Sequence, residues 1–339
     1  MAILIQYGFI GAILVACELI YFRIADKCNI IDKPNERSSH SSIVLRGGGV
    51  IFSLSMLAWA VMMGLQGEWR ELMNYIPFLG GLLLVSVVSF WDDVRSLPDS
   101  VRLVVQFIGM ALMFWSMGIM HWDMWWIVII ALVVCVGATN VINFMDGING
   151  ITAGYALAVL VPMILLNYKH DFIAHSYLFV AILGVLIFCL FNFRPKGKAK
   201  CFAGDVGSIS IAFIMLFAIG RLVVQTQDVT YLILMLVYGV DGCLTICHRI
   251  LLHENLGHAH RKHAYQIMAN ELTIGHVKVS LLYMVIQIVV SLGFIYFCPD
   301  TIFAHGLYFV CALVLLSTLY ILFKKKYYHL HEEYLASLK

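Results

Sequence analysis

Asn140, Asn143, Asp146 and Asn149 recur every three residues in the string Asn-Val-Ile-Asn-Phe-Met-Asp-Gly-Ile-Asn-Gly, which runs from Asn140 to Gly150. On a continued helix they share one side. The run before them, 125–136, is almost wholly Ile, Val, Leu and Trp, so the polar groups stand at the end of an apolar segment. Polar side chains there are costly, and they persist where they line a cavity, pair with one another or hold an ion. Amides bonding neighbouring helices together are the other reading. That reading suits Asn140 better than Asp146, because a carboxylate needs a cation.

Three further stretches carry comparable chemistry. An apolar run ends in Asp92-Asp93, with Arg95 and Arg102 following. Adjacent carboxylates repel, so a pair at a membrane boundary suits a metal site or a general base; solvated acids at a helix end have the same sequence. Gly204-Asp205-Val206-Gly207-Ser208 sets a carboxylate beside the N–H groups of a helix start, so Asp205 reads as a metal ligand or as a helix cap. His253, His258, His260, Arg261, His263, Tyr265 and Gln266 follow Asp241 and Arg249. Histidines two and three apart invite zinc, but no cysteine pair completes four donors. With Arg261 among them they read as donors to an anionic substrate, or as an idle polar loop. Nearer the N-terminus, Lys33, Arg37 and Arg46 precede Gly47-Gly48-Gly49. Cations beside a glycine turn suit phosphate recognition, and a plain juxtamembrane basic loop has the same composition.

These residues must be positioned by membrane helices. The chain has 339 residues, 62% hydrophobic and 12% charged, far from the soluble average of about 25% charged. We therefore expect an all-α polytopic helix bundle forming a single integral membrane domain over residues 1–339. At about 20 apolar residues per span, eleven transmembrane helices are expected, at 3–22, 48–65, 72–91, 101–120, 125–144, 148–167, 172–192, 206–226, 231–250, 277–297 and 302–323. The first lacks a basic leader and a cleavage site, and is read as a retained span and not a signal peptide. All but Arg70, Lys169 and Arg221 of the 22 Lys and Arg fall on one set of connections. By the positive-inside rule that set is cytoplasmic, which puts the N-terminus outside, the C-terminus in the cytoplasm and every polar motif on the cytoplasmic face. The basic, tyrosine-bearing tail 324–339 is expected to lie along the inner leaflet. Nine scattered cysteines suggest no disulfide framework. A net charge of +2 points to no particular partner, and no nucleic-acid surface is read from it.

Carboxylates suit Mg²⁺, and Mg²⁺ with Arg and Lys clamps suits phosphoryl transfer. A transfer site at the lipid boundary implies that one reactant is itself a lipid. Asp92-Asp93, the Asn140–Gly150 string, Gly204-Asp205-Val206-Gly207-Ser208 and His258-Ala259-His260-Arg261-Lys262-His263-Ala264-Tyr265-Gln266 together resemble the polyprenyl-phosphate N-acetylhexosamine-1-phosphate transferases. The resemblance covers nearly the whole chain, in motif order and in topology. It implies transfer of a sugar 1-phosphate from a UDP-N-acetyl sugar to undecaprenyl phosphate, with release of UMP, in the bacterial inner membrane. By the same resemblance Asp205 and Asn143 hold Mg²⁺, or Mn²⁺ in its place. Asp92, Asp93 and Asp146 form the catalytic group, the first two beside the lipid phosphate. Asn149 faces the uracil, and His258, His260, Arg261 and His263 bind the pyrophosphate or the sugar. Asn140 completes the substrate contacts, with Lys33 and Arg37 as secondary anion contacts. A homodimer is compatible with it. A phosphate monoester with a second pKa of about 6 is mostly dianionic at neutral pH, so Asp92 has more to do in positioning charge than in removing a proton.

The chain departs from the family pattern in places. Ser96 stands where some members carry a third Asp, and Asn149 where many bacterial members carry Asp. Ile43 and Leu45 stand where a related branch tends to have prolines. The His258–Gln266 string is more similar to the branch acting on 6-deoxy sugars such as N-acetylfucosamine or N-acetylquinovosamine, which begins O-antigen lipopolysaccharide. The competing reading is an ion- or metal-coupled transporter, which calls for ionisable groups near the bilayer midplane and an inverted repeat. A lipid-modifying enzyme such as a phosphatidyl transferase has no evident use for the Asn-rich turn.

Overall fold

The computed structural model describes residues 2–32, 44–120, 123, 125–255 and 260–337; Lys33, Arg37 and His258 lie outside the described residues. Helices stand at all eleven expected positions. They are α1 (Ala2–Lys27), α2 (Val50–Leu65), α3 (Trp69–Val94), α4 (Asp99–Met117), α5 (Trp125–Phe144) and α6 (Ile151–His170). The chain continues through α7 (His175–Asn192), α8 (Gly204–Thr226), α9 (Leu236–Leu251), the short α10 (Ala264–Asn270), α11 (His276–Phe297) and α12 (Ile302–Ser337). Among the described residues nine helical segments are long and apolar enough to cross a membrane; α2, with 16 residues, and α4 are not among them. The sheet content of the described residues is one antiparallel pair, β1 (Ile31–Asp32) with β2 (Val44–Leu45).

The bundle is built around α8. Ile209 to Ile219 of that helix are buried without a break, against α2, α3, α4, α5 and α6. A helix apolar all round belongs inside a bundle. Small residues let its neighbours close in. The hydroxyls of Ser53, Ser86 and Ser210, from α2, α3 and α8, meet at 2.6–2.9 Å. A Cβ on Gly81 of α3 would lie 2.8 Å from the Gly109 carbonyl of α4. Close glycine crossings and hydroxyl bonds are the usual fasteners where lipid supplies no hydrophobic drive between helices.

Two features differ from the sequence expectation. The Gly47–Gly49 triplet is a packing joint and not an anion cradle: Gly48 and Gly49 donate their N–H groups to the carbonyls of Phe202 and Ala203, 2.9 and 3.1 Å away. Gly49 also lies directly on Gly207, so a Cβ on either residue would strike the other's backbone. The segment 324–337 is not a separate tail. It continues α12 without a break to 36 residues, about 54 Å at 1.5 Å per residue, and packs on α10.

Candidate active site

Asp92 and Asp93 close α3, an end where the helix dipole disfavours a carboxylate, so each needs partners. Asp92 accepts the Leu97 N–H at 2.6 Å and the Arg102 guanidinium at 2.9 Å. The four-residue turn from Arg95 to Pro98 brings both donors back over the helix end. Asp93 reaches across to α8 and accepts the N–H groups of Asp205 and Val206, both at 2.9 Å. It thereby caps the first turn of α8, and Arg46 Nε adds a contact at 2.7 Å. Gly204, at φ +70°, is required here, because a Cβ would lie 2.6 Å from Asp93 Oδ2.

Asp205 follows on the same turn. Its carboxyl stands 3.6 Å from Arg102, which also binds Asp92, and 3.9 Å from Arg46, which also binds Asp93. Three acids and two arginines from α3, α4, α8 and the stretch before α2 therefore form one cluster. Arg46 is itself held by Tyr21, whose hydroxyl donates to its carbonyl at 2.6 Å.

The Asn-rich string ends α5 instead of extending it. The helix stops at Phe144, whose carbonyl accepts the Tyr265 hydroxyl at 3.0 Å. Asn140 and Asn143 keep a common helix face, and Asp146 leaves the helix but returns to the same cleft. Asn143 Oδ1 accepts the Ser208 hydroxyl at 2.6 Å, which ties it to the Asp205 turn. The Asn140 amide donates to Gln106 of α4 at 2.7 Å, so it also joins two helices. Asp146 accepts the Thr152 hydroxyl at 2.5 Å. Burial pushes its carboxyl up to about 6, the hydroxyl working against the rise and Asp93 adding to it. Asn149 turns inward. It is 2% exposed and donates its amide to the carbonyls of Arg194 and Pro195, which pins the loop before α8 and leaves it a structural role in this conformation.

A cleft of 670 Å³ opens beside the cluster, with Arg102, Asn140, Asn143, Asp146, His260 and Gln266 on its polar wall. Its other wall is apolar, from Leu103, Phe107, Val133 and Val136 of α4 and α5. His260 enters as a neutral imidazole: burial, then the neighbouring His263 and Arg249, push its pKa down to about 3. Arg261 and His263 do not line this cleft. The Arg261 guanidinium lies 5.0 Å over the Tyr334 ring of α12, and His263 is 1% exposed behind His260.

Arg46 and Arg102 are parts of the acid cluster that the sequence reading did not assign to it. Both were visible as cations at a membrane boundary, but the positive-inside rule explains such cations equally well.

The model of glycosyl transferase family 4 matches residues 75–224, the span from α3 to α8 that holds all of these acids. Over those residues the chain is similar to glycosyl transferase family 4. It is 28% identical over 261 residues to a probable undecaprenyl-phosphate N-acetylglucosaminyl 1-phosphate transferase of Bacillus subtilis, covering 72% of this chain and 70% of that one. It is 31% identical over 121 residues to the phospho-N-acetylmuramoyl-pentapeptide-transferase of Thermotoga maritima, covering 36% of this chain and 37% of that one. The enzyme of that name from Latilactobacillus sakei is 33% identical over 88 residues, 26% of this chain and 27% of its own length. These similarities do not favour the transporter reading.

Proposed function

We propose that the chain transfers a sugar 1-phosphate from a UDP-N-acetyl-hexosamine to undecaprenyl phosphate, giving undecaprenyl-pyrophosphoryl-sugar and UMP. One observation carries the reading: an apolar wall on α4 and α5 leads directly to a cluster of acids and arginines at one end of the bundle. A prenyl chain fits the first and a phosphate the second. An oxygen of the lipid phosphate attacks the sugar-bearing phosphorus of the donor, that new P–O bond forms, and the bond to the UMP oxygen breaks.

The chain's own groups set the electrostatics. Arg102 reaches the cleft while bonded to Asp92, so Asp92 holds the guanidinium where the lipid phosphate arrives. Asp93 fixes the turn that presents Asp205, and Asn143 stands next to it through Ser208. Against Arg46 and Arg102 stand four carboxyl groups, those of Asp92, Asp93, Asp146 and Asp205, so acids outnumber cations and a further cation is called for. The donor set is all oxygen, which suits Mg²⁺ or Mn²⁺ on Asp205 and Asn143. Among the described residues no three His, Cys, Asp or Glu converge as a ready cage, and Mg²⁺ commonly takes one or two carboxylates and completes its shell with substrate phosphates and water. Bound there, the ion would offset the repulsion between two anionic reactants.

The excess of Lys and Arg on the site's side of the bundle supports a cytoplasmic active site in a bacterial inner membrane. The His258–Gln266 string supports a UDP-N-acetyl-6-deoxyhexosamine as donor and O-antigen synthesis as the setting. Purified protein with Mg²⁺, undecaprenyl phosphate and a panel of UDP-N-acetyl sugars is expected to release UMP with one donor well above the rest. Asp205→Ala is expected to abolish it. Release undiminished in that variant, or none with any donor, defeats the reading.

A further inference from the structure

Asp241, in the middle of α9, is 2% exposed and gathers donors from three other segments. His263 Nδ1 lies 3.3 Å away, the Ala264 and Tyr265 N–H groups at 3.1 and 3.4 Å, and the Tyr283 hydroxyl of α11 at 2.6 Å. Thr245, one turn along α9, adds its hydroxyl at 3.2 Å. Every one of these groups donates, so the carboxylate is satisfied as an acceptor, and the His263 ring is bound to it through Nδ1–H.

The other ring nitrogen is treated very differently. His263 Nε2 is buried and has no hydrogen-bond partner among the described residues. Buried ring nitrogens of this kind are rarely left so, and an orphan calls for an explanation such as a ligand. One layer separates it from the cleft. The His260 ring, which lines the cleft, lies 5.0 Å from the His263 ring, and Gln266, also on the cleft wall, accepts the His263 backbone N–H at 3.3 Å. Which nitrogen of a histidine carries the proton is set by what the other one bonds. With Nδ1–H committed to a carboxylate, Nε2 of the neutral ring is the acceptor, and an acceptor does not suit a phosphate oxygen.

We propose that Asp241 is a positioning residue that locks His263 in the Nδ1–H tautomer, so that Nε2 accepts a hydrogen bond from a hydroxyl or acetamido N–H on the donor's sugar. The inference rests on the sugar-nucleotide reading above. The sugar is then read by an acceptor behind His260, while the charge of the diphosphate is left to the cation called for at Asp205 and Asn143. Closing this contact requires the His260 ring to move aside as the sugar enters.

Two isosteric changes separate the parts. His263→Asn keeps an amide N–H in the place of Nδ1–H and deletes Nε2. Asp241→Asn keeps Nε2 but removes control of the tautomer. Titration of detergent-purified protein with UDP, UDP-N-acetylglucosamine and UDP-N-acetylgalactosamine is expected to show His263→Asn weakening the preferred sugar nucleotide about 10-fold, equivalent to one missing hydrogen bond, with UDP changed by less than about 2-fold. In ¹⁵N-histidine spectra, the resonance lost in His263→Asn is expected to be that of an Nδ1-protonated ring, and in Asp241→Asn it moves toward the Nε2-protonated form. Tyr283→Phe, which removes another Asp241 partner without touching the ring, is expected to leave both readouts in place. Equal weakening of UDP and sugar nucleotide, an unmoved tautomer in Asp241→Asn, or a Tyr283→Phe defect as large as that of Asp241→Asn each overturns the proposal. Wild-type protein that binds none of the three nucleotides defeats the sugar-nucleotide reading instead, while the spectra still decide whether Asp241 sets the tautomer.

Discussion

Asp92, Asp93 and Asp205 differ in what their neighbours leave them to do. Asp93 has its oxygens taken by two backbone N–H groups and Arg46, whereas Asp92 and Asp205 share Arg102. A motif identifies all three as acids at a boundary; only the fold shows that one of them is a helix cap. The same limit hid Arg46 and Arg102, because their partners lie on other helices. Arg102→Ala is expected to lower kcat/KM for the lipid phosphate about 100-fold, the scale of losing one charge-directed donor, with a smaller effect on the KM for the sugar nucleotide. Steady-state kinetics with each substrate varied in turn checks this. Asp146 is the group with a readable pH signature. Its carboxyl sits near 6, with the Thr152 hydroxyl holding it down against burial. A group that works as a carboxylate loses function as pH falls through its pKa, so kcat/KM is expected to fall below about pH 6. Thr152→Val removes a donor to the charged form, raises that pKa and moves the acid limb upward. A limb that stays in place in Thr152→Val assigns it to the substrate's own phosphate.

Among the helices, apolar run length located all eleven, although α2 and α4 fall outside the nine segments that, among the described residues, are long and apolar enough to cross a membrane. Two features lay beyond it. Gly47–Gly49 looks like an anion turn in sequence, but Gly49 and Gly207 touch backbone to backbone where α2 crosses α8, and no local pattern states which helix a glycine faces. The tail 324–337 looks interfacial because it is basic and aromatic. In the fold those residues are a strap: Lys324 donates to the Lys262 carbonyl at 2.6 Å, Arg261 lies on Tyr334, and His331 bonds Glu271 at 2.8 Å. The strap holds the loop that carries His260 and His263. Deleting 327–337 is therefore expected to raise the KM for the sugar nucleotide about 10-fold, the loss of roughly one fixed contact, and to leave the KM for the lipid unchanged. Equal loss on both substrates would make the strap a matter of general stability.

Across the whole molecule, the acids and amides of the site gather at one end of the bundle, while the opposite end carries a separate, smaller set of polar pairs, Lys169 with Asp300 at 2.7 Å and His305 with Asp228 at 2.6 Å. The charge count along the sequence anticipated this asymmetry, since Lys169 and Arg221 fell on the sparse side. What it could not anticipate is that one cleft joins the apolar face of α4 and α5 to the arginine-bound acids, because that junction is made by residues of α4, α5, the Asp146 turn and the His260 loop, which are far apart in the chain. In the proposed reaction a phosphate travels with the sugar, and an isotope can follow it. A UDP-N-acetyl sugar labelled with ³²P on the sugar-bearing phosphate is incubated with Mg²⁺, undecaprenyl phosphate and the protein. Label is expected in the lipid fraction together with unlabelled UMP in the water, both lost in Asp205→Ala. Label retained in water as UDP while sugar enters the lipid, or label in lipid that is indifferent to Asp205, would rule the proposed transfer out.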